Sequence, residues 1–396
     1  MGSKPKEIPY ELLGSSDPFM TWIHRITSVN FFLRKVYEAI QYGWLEDIFT
    51  ICYSWYLRKT SGKIKKRLLE IIDAHPEVDS IVVVATHFGL AHQIGAIKGY
   101  IKKLRKVDIV LAVQVTDDTS QHIWCVRGAD ITFVPSRQTR NELTVWAKSR
   151  KIRFNCEVSP YPVSKELCVG FSGEGDTRCK ALGRESNEPI NVVVPISGAA
   201  VGLDYLSSFL MNLDRMCGRF RFYVVSKRSS HTQKFLTKIG KLRWVQIVTG
   251  RNDNEVVRLY EKLYIDNMIH MEVTKPSEQA FKALIHPKFR GGCLILFSKP
   301  IGRQEYDNLS FLERHKLIYR FRAVETIAEQ ALPPRGILLS ENPEDASRMV
   351  LQMIEIGLAK KMVCEFEFSP ASMMTSEVSE KGAWLFWEKL RLLKYI

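Results

Sequence analysis

Short apolar runs rich in β-branched residues, falling into two groups on either side of a polar stretch, constrain this chain more than any other feature. The first group is IVVVA (81–85), VDIVLAVQV (107–115), ADITFVP (129–135) and IRFNCEV (152–158). The second is INVVVPI (190–196), RFRFYVV (219–225), RWVQIV (243–248), MIHMEV (268–273) and GCLILF (292–297). Runs that are apolar almost throughout, rather than at alternate positions, are buried on both faces, which requires parallel sheets covered by helices. Helical patterns fill the intervals. Between the groups, CVGFSGEGDTRCKALGRESNEP (168–189) is polar and aperiodic and reads as a linker. The expected fold class is therefore α/β with two Rossmann-like domains. The expected divisions are an aromatic helical region over 1–75, a first domain over 76–168, a linker over 169–189, a second domain over 190–330 and a C-terminal helical region over 331–396.

A length of 396 residues suits two cores better than one, and 45% apolar with 25% charged residues is the composition of a globular protein. The 57 Lys and Arg outweigh 43 Asp and Glu, for a formal charge of +14, and so favour partners that carry phosphate. Two basic clusters, Lys63 to Arg67 and Lys102 to Lys106, read either as solvated helix faces or as binding surfaces. Eight cysteines show no C-x-x-C pair or metal-ligand spacing, so reduced thiols and no metal are expected. The opening residues lack the apolar core of a secretory signal, and no apolar run is long enough to span a bilayer. Residues 18–73 read as aromatic helices that either cover a core or touch lipid. KGAWLFWEKLRLLKYI (381–396) reads as a basic aromatic helix that either lies on a membrane or packs back on the first domain.

Open parallel sheets bind ligands beyond the carboxyl ends of their strands, so chemistry is sought there. In the first domain those ends are THFGLAHQIG (86–95), TDDTSQHIW (116–124) and PSRQTRNEL (135–143). His87, Asp117, Asp118 and His122 gather there as candidate proton acceptors, with His87, Asp117 and His122 the candidate catalytic residues. In the second domain, PISGAAVGLDYL (195–206) is a strand, a small-residue turn and a helix start, where Gly198 and Gly202 let backbone approach a phosphate. Lys227 stands at the next strand end. In TKPSEQAFKAL (274–284), Pro276 suits a helix start and places Ser277 and Glu278 near free amides beside Lys275. In GRQEYDN (302–308), Gln304, Glu305 and Asn308 are suited to a hydroxyl-rich ligand, because carboxamides and carboxylates make paired hydrogen bonds.

These segments resemble the GT-B glycosyltransferases that include monogalactosyldiacylglycerol synthase and the processive diacylglycerol glucosyltransferases. The resemblance is carried over about residues 75 to 330 by Thr86-His87, QVTDDTSQHIW with GADITFVPS, SPYPVS, SGAAVG, and above all VTKPSE followed by PIGRQEYDNLSFL. It implies a UDP-sugar donor as co-substrate without a further cofactor, held by Gly198, Gly202, Lys275, Ser277, Gln304 and Asn308. It also implies a lipid acceptor such as diacylglycerol, an anionic membrane surface and no nucleic acid as partner, with the enzyme peripheral at the cytoplasmic face of the membrane. The chain departs from the family in three ways. The first domain is expected to lack the family's opening strand and Gly-rich His loop, Glu278 replaces a usual glycine, and Ala283 falls where an acidic ribose ligand is common. A non-catalytic nucleotide-sugar or lipid-binding relative is therefore the alternative expectation, with a UDP-N-acetylglucosamine epimerase third.

Overall fold

The computed structural model describes residues 10–13, 26, 31–164, 167, 177–196, 200–284, 291–297, 302–319, 324–328, 332–366 and 377–395. Its backbone forms two parallel sheets, each wrapped by helices.

The first lobe opens with α1 (Phe31–Ile40), α2 (Gly43–Lys59) and α3 (Gly62–Ala74). Four parallel strands follow in sequential order, β1 (Ser80–Ala85), β2 (Asp108–Gln114), β3 (Ile131–Val134) and β4 (Cys156–Val158), with α4 (Phe88–Arg105) and α5 (Arg137–Ser149) as crossovers. Among the described residues this sheet begins at Ser80, with helices before it. Side chains alternate between its faces. Leu111 and Val113 point into a core shared with Ile94, Ile97, Tyr53 and Leu57, whereas Ala112, Ile131 and Phe133 meet Phe386 and Leu390 on the other side. The helix ends are set by local chemistry. His87 caps α4 by accepting from the Gly89 amide at 3.0 Å, and Ser136 caps α5 by accepting from the Thr139 amide at 3.1 Å. Lys102, Lys103 and Arg105 complement the carboxyl end of α4.

The second lobe follows α6 (Arg178–Ala181) and contains β5 (Ile190–Pro195), α7 (Leu203–Met216), β6 (Phe220–Lys227), α8 (Ser230–Ile239), β7 (Val245–Gly250) and α9 (Asp253–Asp266). It continues with β8 (Met271–Thr274), α10 (Glu278–Leu284), β9 (Cys293–Leu296), α11 (Arg303–Arg314), β10 (Ile318–Tyr319), α12 (Val324–Ala328) and β11 (Gly336–Leu338). Seven parallel strands lie in the order β10-β11-β9-β8-β5-β6-β7, so the winding direction reverses between β5 and β8. One face packs Val192, Val194, Phe222 and Ile295 on α7 and α8; the other packs Val193, Tyr223, Leu294 and Leu296 on α9, α10 and α11. Two short strands, β10 and β11, were not anticipated. β11 carries this sheet beyond residue 330, into the stretch read as helical.

The remaining helices are α13 (Pro343–Glu355), α14 (Leu358–Cys364) and α15 (Gly382–Leu392). α13 packs on α7, whereas α15 crosses back to the first lobe. The two readings of the C-terminal segment resolve toward packing: the Phe386 ring packs tilted against Phe133, centroids 4.7 Å apart, and the Tyr395 hydroxyl donates to the Asp130 carbonyl at 2.8 Å. Close approach makes Gly382 necessary, because a Cβ there would lie 2.1 Å from the Tyr161 carbonyl oxygen. Trp384 and Trp387 remain exposed on the outer side of α15. One expectation needs correction: Cys179 and Cys364 form a disulfide between α6 and α14, across a sequence separation of 185. Spacing in sequence gave no sign of it, since only the fold brings these helices together.

Candidate functional site

A cavity of about 340 Å³ opens beyond the carboxyl ends of β5, β6 and β8, where the winding reverses. Ligand crevices are expected there because the loops after neighbouring strands diverge to opposite faces of the sheet. Ile196, Val256, Val257 and Phe297 contribute apolar wall; Lys227, Asp253, Lys275, Ser277 and Glu278 contribute the polar groups. Gly202 caps α7 at the rim with φ +76, a left-handed conformation, and a Cβ there would also press on Phe297 at 3.1 Å. Gly198 lies outside the described residues.

Lys275 leaves β8 into the cavity and pairs with Glu305 at the start of α11, both nearly buried. Lys227 pairs with Asp253 at 3.0 Å in a more open position. Ser277 accepts from the Gln279 amide at 3.4 Å, a weak cap for the short helix α10. Beneath the cavity, Glu272 is buried on β8. It accepts from the hydroxyls of Tyr260 at 2.7 Å and of Tyr264, and from the Gln279 amide group at 3.1 Å. Tyr260 and Gln279 reach the cavity wall, so this network fixes its floor. A single Glu inside an apolar run is the sequence signal for it, and it was missed.

α11 carries the segment GRQEYDN against the strand ends of the first lobe. Asn308 is fully buried with both ends of its carboxamide engaged. Its oxygen accepts from the Asp118 amide at 2.8 Å, and its nitrogen donates to Asp117 at 2.7 Å and to the Pro276 carbonyl at 3.2 Å. Gln304 donates to Gln121 at 2.9 Å. Thr119 donates to Asp307 at 2.8 Å, and Arg314 donates to Asp118 at 2.9 Å. Arg303 donates to Glu46 on α2 at 2.7 Å and to Ser120 at 2.6 Å, and its amide donates to Gln41 at 2.6 Å. The carboxamides expected to face a ligand thus bridge the lobes beside the cavity. Gln41, Glu46 and Arg303, not among the candidate site residues expected from the sequence, complete the bridge.

Asp117 shares Asn308 with the Pro276 carbonyl, which lies between the cavity-lining Lys275 and Ser277. Burial, with the charges of Glu278 and then Glu305 nearby, raises its carboxyl to about 7, against the hydrogen bond from Asn308. Asp307 is raised to about 6, chiefly by burial. The two candidate histidines sit elsewhere in the architecture. His87 is occupied as the cap of α4 and stacks on Phe88 at 4.5 Å. His122 bonds Asp47 at 2.9 Å and stacks on Trp146 at 4.4 Å, in contact with α2, and its basicity is lowered mainly by burial. Of the three catalytic candidates, Asp117 is the one brought near Glu278 and Glu305. Among the described residues no group of His, Cys, Asp and Glu is arranged to hold a metal ion.

No family model matches the chain, and no curated protein matches it. Solved structures do. The S. aureus MnaA–UDP co-structure superposes with a TM-score of 0.53 at 10% identity, covering 86% of this chain and 81% of the other. UDP-GlcNAc 2-epimerase from Neisseria meningitidis bound to UDP-GlcNAc gives 0.49 at 10% identity, covering 84% and 81%. Anabaena HepE in complex with UDP and glucose gives 0.48 at 11% identity, covering 84% and 83%. At 10% identity the likeness to the MnaA structure bears on the fold alone: with its two parallel sheets, the chain has the GT-B arrangement of two Rossmann-like α/β lobes.

Proposed function

We propose that the second-lobe cavity binds a UDP-sugar and that the protein transfers the sugar to a lipid acceptor at a membrane surface. The observation that carries this reading is Asp117, its carboxyl raised by burial and by Glu278 and joined through Asn308 to the Pro276 carbonyl, between the cavity-lining Lys275 and Ser277. The S. aureus MnaA–UDP co-structure, a complex with UDP, shares the architecture. In this reading the base rests on the apolar wall, the lysines and the amides at the start of α7 face the diphosphate, and Glu278 and Glu305 hold sugar hydroxyls. The acceptor hydroxyl attacks the anomeric carbon as the bond from that carbon to the phosphate oxygen breaks. Its proton passes to Asp117, and UDP departs with the bonding electrons. A carboxyl tuned near 7 serves as base at a smaller driving-force cost than an ordinary one. No helix among the described residues is long and apolar enough to cross a membrane, so a lipid acceptor would be met at a surface.

Binding without turnover is favoured by one observation, the commitment of Gln304 and Asn308 to inter-lobe bonds. Transfer of isotope-labelled sugar from UDP-sugars to extracted lipids separates the two. Transfer that disappears in Asp117→Asn while UDP binding persists supports catalysis; UDP binding with no transfer by the wild type supports the alternative.

A further inference from the structure

Helix α2 presents two stripes on opposite sides. Glu46, Thr50, Tyr53 and Leu57 are buried against the first lobe. About half a turn away, Trp44, Ile48, Ile51 and Trp55 follow one another at intervals of four, three and four residues and are 69, 51, 53 and 62% exposed. At 100° per residue such spacing draws one straight line along the helix. An apolar line with tryptophan at both ends, facing solvent, is not what a solvated helix surface presents.

The charges around the line identify its partner. Arg58 and Lys59 occupy the last turn, Lys59 lies over the Trp55 ring at 5.7 Å, and exposed Lys63 and Lys66 follow on α3. The helix has just two acidic residues, and both are tied inward. Glu46 bonds Arg303 and the His122 amide; Asp47 bonds His122, Trp146 and Arg150. A second copy of the chain docked on this line would bring Arg58 and Lys59 no free carboxylate from α2. A layer of anionic headgroups above acyl chains answers both the apolar line and the cations, because tryptophan settles at that boundary and lysine reaches up to the phosphates. The geometry points to the outward stripe of α2 as the docking surface of this protein for an anionic lipid bilayer. This rests on the membrane part of the proposed function and names the surface that part leaves open.

Vesicle flotation of the full chain, without nucleotide, tests the surface independently of donor binding. Phosphatidylcholine vesicles are compared with phosphatidylcholine–phosphatidylglycerol vesicles, and wild type with the double variant Trp44→Ser/Trp55→Ser, whose fold is checked by circular dichroism. Expected is capture by the anionic vesicles, at least about tenfold weaker in the double variant and weakened again by salt. Arg58→Glu/Lys59→Glu, which leaves the apolar line intact, is expected to lose capture by a similar factor. Equal capture of wild type and double variant, or no capture by anionic vesicles, would overturn the inference. So would a wild-type dimer in sedimentation that the double variant dissolves, which would put a second copy on the stripe. An environment-sensitive dye on the exposed Cys52, next to the line, should shift to the blue when vesicles are added. A dye already blue-shifted in buffer would mean that the chain covers its own stripe. Because UDP is absent, failure here leaves the nucleotide reading standing, and failure of UDP binding leaves this one standing.

Discussion

Replacing Asp117 by Asn tests the electrostatics of the inner site. The carboxyl is displaced from 3.8 to about 7, mainly by burial and by Glu278. The sign follows directly. Between those two values the folded chain keeps a proton that the unfolded chain has released, so the residue contributes a stability term that falls as pH rises and levels off above about 7. Taken whole, a displacement of that size corresponds to about 4 kcal/mol. Asp117 keeps part of its surface open, and water and side-chain relaxation reduce the cost, so about 2 kcal/mol is expected. Asparagine keeps the shape and can still accept from Asn308, but it never ionises. Urea unfolding of both proteins should therefore give nearly equal stabilities near pH 4, with the variant gaining about 2 kcal/mol by about pH 8. The difference between variant and wild type isolates Asp117 from Asp307 and Glu46, which are also raised. A difference that stays constant with pH, or that favours the wild type as pH rises, would refute the reasoning.

Asn308→Ala removes three hydrogen bonds and leaves the buried Asp118 amide without its partner, which should cost about 2 to 4 kcal/mol in urea unfolding and enlarge the radius of gyration in solution scattering as the lobes part. Gly382→Ala should displace α15 from the first lobe, because the added Cβ meets the Tyr161 carbonyl; limited proteolysis should then cut near residue 380 faster than in the wild type. Reduction of the Cys179–Cys364 disulfide should destabilise the second lobe by about 3 to 5 kcal/mol, as expected for a loop of this length, and lower its thermal midpoint without affecting the first lobe's transition.

The strands of both sheets were legible because burial on both faces demands uninterrupted apolar runs, as at Ile81 to Ala85 and Ile190 to Pro195. β10 and β11 were not, since two- and three-residue strands leave no period to detect. Turn and cap residues marked the strand ends, so Lys227, Lys275, Ser277 and Glu278 could be placed at one cavity from sequence order alone. Partner choice could not be read in the same way. Asn308 and Gln304 have side chains able to hold a sugar, and the same hydrogen-bonding capacity lets them hold Asp117, Asp118 and Gln121 across the lobes. Glu46 and Gln41 gave no signal, because a polar residue on an amphipathic helix looks the same whether it meets water or Arg303. The two faces of α2 illustrate the same limit: tryptophan and isoleucine on the outer stripe are as apolar as the tyrosine and leucine on the inner one, and only tertiary packing tells them apart.

The central claim is that a nucleoside diphosphate enters the second-lobe cavity and meets Lys275. Calorimetric titration of UDP into the wild type and into Lys275→Ala, with the variant's fold verified by its thermal midpoint, tests it most directly. Saturable binding to the wild type is expected, with a loss of affinity of at least about tenfold in the variant from removing a buried charge-assisted contact. No heat of binding in the wild type, or equal affinity in both proteins, would contradict it.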